Sequence, residues 1–256
     1  MNAIAPLLAT SVEIRDYLMQ HYSAEIARRT LVQLQACGGW AMFSNIIKFN
    51  PFDGLARQIR AKQPGEKAWA AFTVEERDRI IEEFDKHDFF YSHWVKFLFW
   101  TGCRPEEAAA LRWGHIAGGF KEILFEEALP IDVKIRQGTK NGKSTRFPCN
   151  QRLQDLLADL YHLQCDRKSP VFTGIEGGEF DYKNFQTRHW KPLVERLVDE
   201  GKIAFYLSQY HCRHTWLTEA LNHLSPQDVS YLGRVSVKVL YEHYVGRNRI
   251  INIPEF

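Results

Sequence analysis

Residues 101–113 read TGCRPEEAAALRW, and they place Arg104 at the head of an amphipathic helical segment. Pro105 is tolerated in the first turn of a helix, where backbone N–H groups have no partner within the helix. Ala108 and Leu111 then face inward. The chain holds a second such place at 209–215, QYHCRHT, where Arg213 begins another apolar helical run. The two arginines are more than 100 residues apart in sequence. Two guanidiniums drawn from such distant segments raise the question of which anion they share.

The flanks of 101–113 set the fold class. Upstream, Thr73 is followed three residues later by Glu76, a capping-box spacing that opens a helix through about Lys86, and a further helix is expected at 91–101. Downstream the period changes from helical to alternating. Phe120, Ile123 and Phe125 alternate, as do Ile131, Val133 and Ile135, and Asn141-Gly142 supplies a tight turn before Thr145-Arg-Phe-Pro. This predicts a small antiparallel sheet whose last hairpin carries Lys140 and Lys143 at its tip. Helical patterns resume at 151–164, 182–199, 213–224, 226–232 and 236–243.

Toward the N-terminus, 11–23 and 24–45 carry helical periodicity, with Ile14, Tyr17 and Leu18 in the first and Ile26, Leu31, Leu34, Trp40 and Phe43 in the second. Asn50-Pro51 breaks the pattern. The stretch 60–71, RAKQPGEKAWAA, is basic, holds Pro-Gly and has no period, as a linker would. The expected organisation is a helical domain at 1–59, a linker at 60–72 and a second domain at 73–256. The fold class is mainly α with a small antiparallel β-sheet (α+β).

Composition narrows the function less. A net charge of +2 and a pI near 8.2 neither demand nor exclude a nucleic-acid partner, so the placement of basic residues must decide. The five cysteines include no CxxC pair, which predicts free thiols in a reducing compartment and no zinc site. No window approaches the roughly 18 apolar residues of a membrane span. A soluble, cytoplasmic protein without a membrane partner is expected.

These segments together resemble the tyrosine recombinases, the phage-integrase family. TGCRPEEAAALRW is similar to the family's first-arginine motif, with Arg104 and Glu107 at the family's spacing. RHTWLTEAL at 213–221 resembles the second-arginine motif, and LGR at 232–234 with EHYVG at 242–246 resembles the closing segment that holds the nucleophilic tyrosine. The resemblance covers about 73–250 and implies a tyrosine-recombinase catalytic domain behind a partial helical core-binding domain. The implied activity is site-specific DNA cleavage and rejoining through a 3′-phosphotyrosine. Such a protein would need no metal or other cofactor and would be nucleoid-associated, of bacterial or phage origin.

The chemistry accounts for the residue types. Attack on a phosphodiester adds charge to an anionic centre, and two guanidinium forks on its non-bridging oxygens stabilise that charge. A tyrosine nucleophile conserves the phosphodiester energy in a covalent intermediate, so strands exchange without ATP. By resemblance Arg104 and Arg213 form the clamp and Tyr244 is the nucleophile. Lys140 protonates the leaving 5′-oxygen from the mobile hairpin, with Lys143 as its competitor. Tyr241, three residues before Tyr244, is a second candidate nucleophile, read as a packing residue.

Two positions depart from the family pattern. Tyr210 stands where histidine usually precedes the second arginine by three residues, with His211 one place later. A phenol can donate to phosphate but, with a reference pKa of about 10, accepts a proton poorly. Arg234 follows the Leu-Gly turn where histidine or tryptophan is usual, and an arginine there can contact phosphate. His214 is expected to support the site from behind.

Residues 1–59 resemble only the latter part of the family's DNA-binding arm, through TLVQLQACGGWAMFSNIIKFNPF. Arg28, Arg29, Lys48, Arg57, Arg60 and Lys62 would touch the DNA backbone, giving affinity without sequence information. The resemblance implies double-stranded DNA with inverted half-sites as partner. It also implies a homotetramer on DNA and a monomer or weak oligomer without it, with Ile250, Ile251, Ile253 and Phe256 apolar enough to dock on a neighbour. The alternative is a catalytically impaired DNA-binding remnant of an integrase.

Overall fold

A computed structural model describes residues 10–60, 69–133, 135–138, 142, 144–161 and 166–245. The chain divides into two compact units, Met1–Ala68 and Trp69–Phe256.

In the first unit, Thr10 and Glu13 form a reciprocal capping box that starts α1 (Ser11–His21), and the Ser23 hydroxyl caps α2 (Ala24–Phe43). A short 3-10 turn, Leu55–Gln58, follows. Leu18, Ala27, Leu31, Leu55, Ala56 and Ile59 close over one another as a small core. The apolar period of α2 reads further than this core extends. Ile26, Trp40 and Phe43, expected to face inward, are exposed, Phe43 to 90 %. Leu31, central on the helix, is fully buried because α1 and the 3-10 turn cover only that part of α2.

The second unit begins with Trp69–Phe72, which the sequence reads as the end of a linker. Phe72 is buried and its backbone N–H donates to Thr215 Oγ1 at 3.0 Å. The Thr73–Glu76 capping box opens α3 (Val74–His87), followed by α4 (Phe89–Thr101) and the short α5 (Pro105–Ala110). Among these described residues α4 is apolar nearly all round, as a helix covered on several sides must be. Trp94, Phe97 and Leu98 from α4 join Phe84, Phe185 and Trp190 in one aromatic-rich core.

Five short strands follow: β1 (Ile116–Ala117), β2 (Glu122–Phe125), β3 (Glu127–Ala128), β4 (Gln137–Gly138) and β5 (Thr145–Pro148). β1, β2 and β5 form an antiparallel sheet in that order, with Ile123 opposite Phe147 and Phe125 opposite Thr145. Ile123, Phe125 and Phe147 turn to the core, as alternation demands. β3 and β4 form a separate antiparallel pair. Two details differ from expectation. Residues 131–133 turn rather than extend, and Val133 and Ile135 are exposed, since only Gln137–Gly138 finds a partner strand, opposite Glu127–Ala128. Phe120 has φ +68 and belongs to the turn before β2.

The helices α6 (Gln151–Leu160), α7 (Tyr182–Phe185), α8 (Lys191–Asp199), α9 (His211–Ala220), α10 (Pro226–Gly233) and α11 (Val237–His243) complete the unit. A π-turn at Gln186–Trp190 interrupts what reads as one helix over 182–199. Pro192, in the first turn of α8, lacks the N–H that would continue the ladder. The main-core helix α4 packs against α9, and this contact brings the two arginine segments together. Cys37, Cys103, Cys149 and Cys212 are free thiols, and Cys165 lies outside the described residues. Among the described residues no helix is long and apolar enough to cross a membrane.

Candidate active site

Arg104 is positioned by the turn that precedes it. Gly102 ends α4 in the left-handed region at φ +59, and its N–H donates to Leu98 O at 3.0 Å. A Cβ here would also sit 2.7 Å from the Trp216 ring, so glycine is required twice over. The reversed chain makes Arg104 the cap of α5. Glu107 reaches back to the Arg104 N–H through Oε2 at 2.9 Å and takes Nη1 of the same residue on Oε1 at 2.7 Å.

Arg213, in the first turn of α9, is only 3 % exposed. Its Nη1 donates to Gly102 O at 2.8 Å, and its Nη2 donates to Gly233 O. One guanidinium therefore ties the turn before α5 to the turn after α10. Arg234 sits in that second turn with φ +53, an unusual conformation for a residue with a Cβ. Its Nε donates to Glu107 Oε2 at 3.0 Å, its Nη1 to Leu232 O at 2.7 Å, and its plane lies 4.1 Å over the Phe125 ring. Its carbonyl accepts from Arg104 Nη2 at 3.2 Å. Nη2 of Arg234 is buried without a hydrogen-bond partner among the described residues.

Three guanidiniums thus surround one carboxylate, which leaves a surplus of positive charge. Burial would raise the Glu107 carboxyl, but Arg234, Arg104 and Arg213 outweigh it and hold it below the usual carboxylate range. Burial, then Arg104 and Arg234, bring Arg213 down to about 10, still protonated at neutral pH. Burial also works against the charge of Arg104, and there Glu107 prevails and raises its pKa. An anion added to this cluster would relieve the repulsion between the arginines.

The tyrosine segment meets the cluster at the residue after Arg213. Tyr244 caps α11, is 5 % exposed, and its hydroxyl is hydrogen-bonded to His214 Nδ1. Leu217, Val229 and Leu240 pack around it. The Trp69 indole meets the rings of both His214 and Tyr244 edge-on, with centroids 5.5 and 5.9 Å away, and stacks flat on His243 at 3.7 Å. Tyr210 is partly exposed, with its ring 5.4 Å from that of His214. His211 turns its Nδ1 toward Ser208, 3.1 Å from the hydroxyl.

The structure therefore brings Arg104, Glu107, Tyr210, His211, Arg213, His214, Arg234 and Tyr244 into one region. Tyr241, read as a packing residue, is instead 56 % exposed, and Tyr244 is the packed one. Lys140, Lys143 and Lys62 lie outside the described residues. Arg28, Arg29, Lys48, Arg57 and Arg60 belong to the first unit and are exposed there, with Arg29 paired to Glu25 at 2.7 Å. Sequence reading missed Trp69 and His243. The signal for Trp69 was a lone large aromatic in a basic, aperiodic stretch.

No family model matches the chain, and no curated protein matches it. Solved structures do. The Tn1549 transposon integrase in complex with transposon right end DNA matches with a TM-score of 0.74 at 14 % identity, over 96 % of this chain and 84 % of that one. A lambda integrase dimer bound to a COC' core site matches with a TM-score of 0.65 at 13 % identity, over 96 % and 84 %. XerA recombinase matches at 0.52 and 16 %, over 96 % and 81 %. The likeness is one of fold, mostly helical with a small antiparallel sheet.

Proposed function

We propose that this chain, whose fold is that of the tyrosine recombinases, is a site-specific DNA recombinase that cleaves and rejoins strands through a 3′-phosphotyrosine. The observation that carries the reading is the convergence of Arg104, Arg213 and Arg234 on Glu107, with the Tyr244 phenol held by the residue next to Arg213. Lone arginines at helix ends are common. Two of them bonded to one buried carboxylate, with a third beside it, leave a surplus of positive charge that suits an anion.

In this reading a phosphodiester of duplex DNA enters against Arg104, whose side chain is the most exposed of the three. The guanidiniums hold the non-bridging oxygens and stabilise the charge that builds on them as Tyr244 Oη attacks phosphorus. Glu107 fixes Arg104 and Arg234 in register, so little reorganisation remains for the moment of reaction. Lys140 serves as the acid for the departing 5′-oxygen. Tyr210 donates to a phosphate oxygen. Residues 1–59 act as a DNA-binding arm, with Arg28, Arg29, Lys48 and Arg57, and Arg60 and Lys62 just beyond them, on the backbone. Two inverted half-sites and a homotetramer on DNA complete the assembly. The DNA-bound integrases of like fold support duplex DNA as the partner.

A second reading, a DNA-binding remnant that no longer cleaves, is favoured by Tyr210 at the usual histidine position and by the burial of the Tyr244 phenol. One experiment separates the two. The protein is incubated with a randomised pool of nicked duplexes and denatured, and the peptide left on DNA is identified. Recombinase activity gives an adduct on Tyr244 that Tyr244→Phe abolishes while DNA binding persists. A remnant binds equally with either residue and gives none.

A further inference from the structure

The described residues pose a problem for strand cleavage. The phenol of Tyr244 must lose its proton as it attacks, and Tyr210 is a poor acceptor. His211 directs its Nδ1 to Ser208. His214 lies one helical turn beyond Tyr210, the cap of α9, and its Nδ1 shares a hydrogen bond with the Tyr244 hydroxyl, in which the phenol donates when the imidazole carries its proton on Nε2.

We infer that His214 is the general base of the reaction, taking the proton of Tyr244 and so replacing the histidine that position 210 lacks. This deepens the recombinase reading and rests on it. The step balances without a further reactant. The bond from Tyr244 Oη to phosphorus forms as the bond from phosphorus to the 5′-oxygen breaks. The phenolic proton passes to His214 Nδ1, and the leaving oxygen takes a proton from Lys140, the acid of the recombinase reading. In the reverse step the 5′-hydroxyl attacks the phosphotyrosine and the imidazolium returns its proton to Tyr244.

The surroundings keep the imidazole where this transfer needs it. Among the described residues, the titratable side chains whose rings meet it are Tyr244 at the end of α11, and Tyr210 and His211 at the start of α9. His243 stacks on the indole of Trp69, whose ring meets His214 at 74°. Trp69 thus supports both partners of the pair and is a positioning residue. At 4 % exposure His214 is also shielded from bulk water.

The test measures the rate of adduct formation between pH 5.5 and 9, on the duplex that the wild-type protein selects from the randomised nicked pool. The wild-type rate should rise with pH as the base loses its proton and then level. His214→Gln should be slower by about 10²–10⁴-fold at neutral pH, with its rise displaced toward the phenol range near 10. Added imidazole should restore cleavage to His214→Ala, which a purely packing role would not allow. A wild-type rate that does not change with pH between 5.5 and 9 overturns the inference, and this arm needs no variant to fold. So does a His214→Gln protein with the wild-type rate and profile, or an Ala variant, folded and DNA-binding, that imidazole does not rescue. If the wild type forms no adduct on Tyr244, the recombinase reading itself fails. An adduct indifferent to His214 removes this inference alone.

Discussion

Glu107 and Arg234 are 127 residues apart in sequence and share a hydrogen bond of 3.0 Å, Arg234 Nε to Glu107 Oε2. The same oxygen caps α5 by accepting the Arg104 N–H. One carboxylate therefore starts a helix, orients the first arginine and pins the third. Both side chains are nearly buried, at 4 and 7 % exposure. Removing one partner of a buried pair leaves the other charge uncompensated, so Glu107→Gln should cost about 3–5 kcal/mol in urea unfolding.

The pH dependence of that cost has a definite sign. The folded-state pKa of Glu107 lies below its ordinary value of 4.5. Its contribution is thus fully present above pH 4.5 and is lost as pH falls through the lower folded value. Stability curves of the wild type and Glu107→Gln, measured by urea titration at successive pH values, should be furthest apart near neutrality and converge in acid.

Arg104 and Arg213 should respond differently to lysine. Arg213 spans two carbonyls, Gly102 O and Gly233 O, with separate nitrogens. A lysine ammonium cannot reproduce that fork, and a buried acceptor left unsatisfied costs about 1–3 kcal/mol. Arg213→Lys is expected to lower the melting temperature and abolish adduct formation together. Arg104 is more exposed. Arg104→Lys is expected to melt close to the wild type and still lose the adduct, since its loss falls on the phosphate rather than on the fold.

Much of this arrangement could be read from local signals. The Thr73–Glu76 capping box and the Gly102 turn act within a few residues, so sequence spacing carries them. What escaped depends on partners far along the chain. The alternation at Ile131, Val133 and Ile135 has the period of a strand, yet a strand needs a neighbour, and none pairs there among the described residues. Trp40 and Phe43 carry a helical period, yet within the first unit nothing described covers them. Trp69 sits in a basic stretch without period, and its ring partners lie at 214, 243 and 244. His214 could be placed beside Arg213, but its contact with Tyr244 depends on where α11 packs.

The cysteines offer a check on the core that needs no DNA. Cys103 precedes Arg104 and is buried, and burial, reinforced by Glu107, pushes its thiol up to about 12. Burial likewise raises Cys212, the neighbour of Arg213. Thiols held protonated are poor nucleophiles. Brief treatment with iodoacetamide at pH 8, read by peptide mass spectrometry, should label exposed Cys37 and leave Cys103 and Cys212 unmodified until urea unfolds the second unit. Early labelling of Cys103 would mean that the turn carrying Arg104 opens locally.

The burial of the Tyr244 phenol makes a last demand. If Tyr244 is the nucleophile as proposed, a phosphodiester must reach an oxygen whose residue is 5 % exposed in the DNA-free protein, whereas Tyr241, one turn earlier on α11, is 56 % exposed. Nitration with tetranitromethane should therefore mark Tyr241 well before Tyr244 in the free protein. Binding of the selected duplex should reverse part of that difference, because engagement of the anion by the arginine cluster must be coupled to exposure of Oη. The readout is the ratio of nitrated peptides with and without DNA in His214→Gln as well as wild type. Losing the histidine partner should raise Tyr244 labelling even without DNA, since the hydrogen bond that holds the ring against Trp69 is weakened. Equal labelling of Tyr244 in all four samples would show that the phenol is accessible from the start and that DNA has no closed state to open.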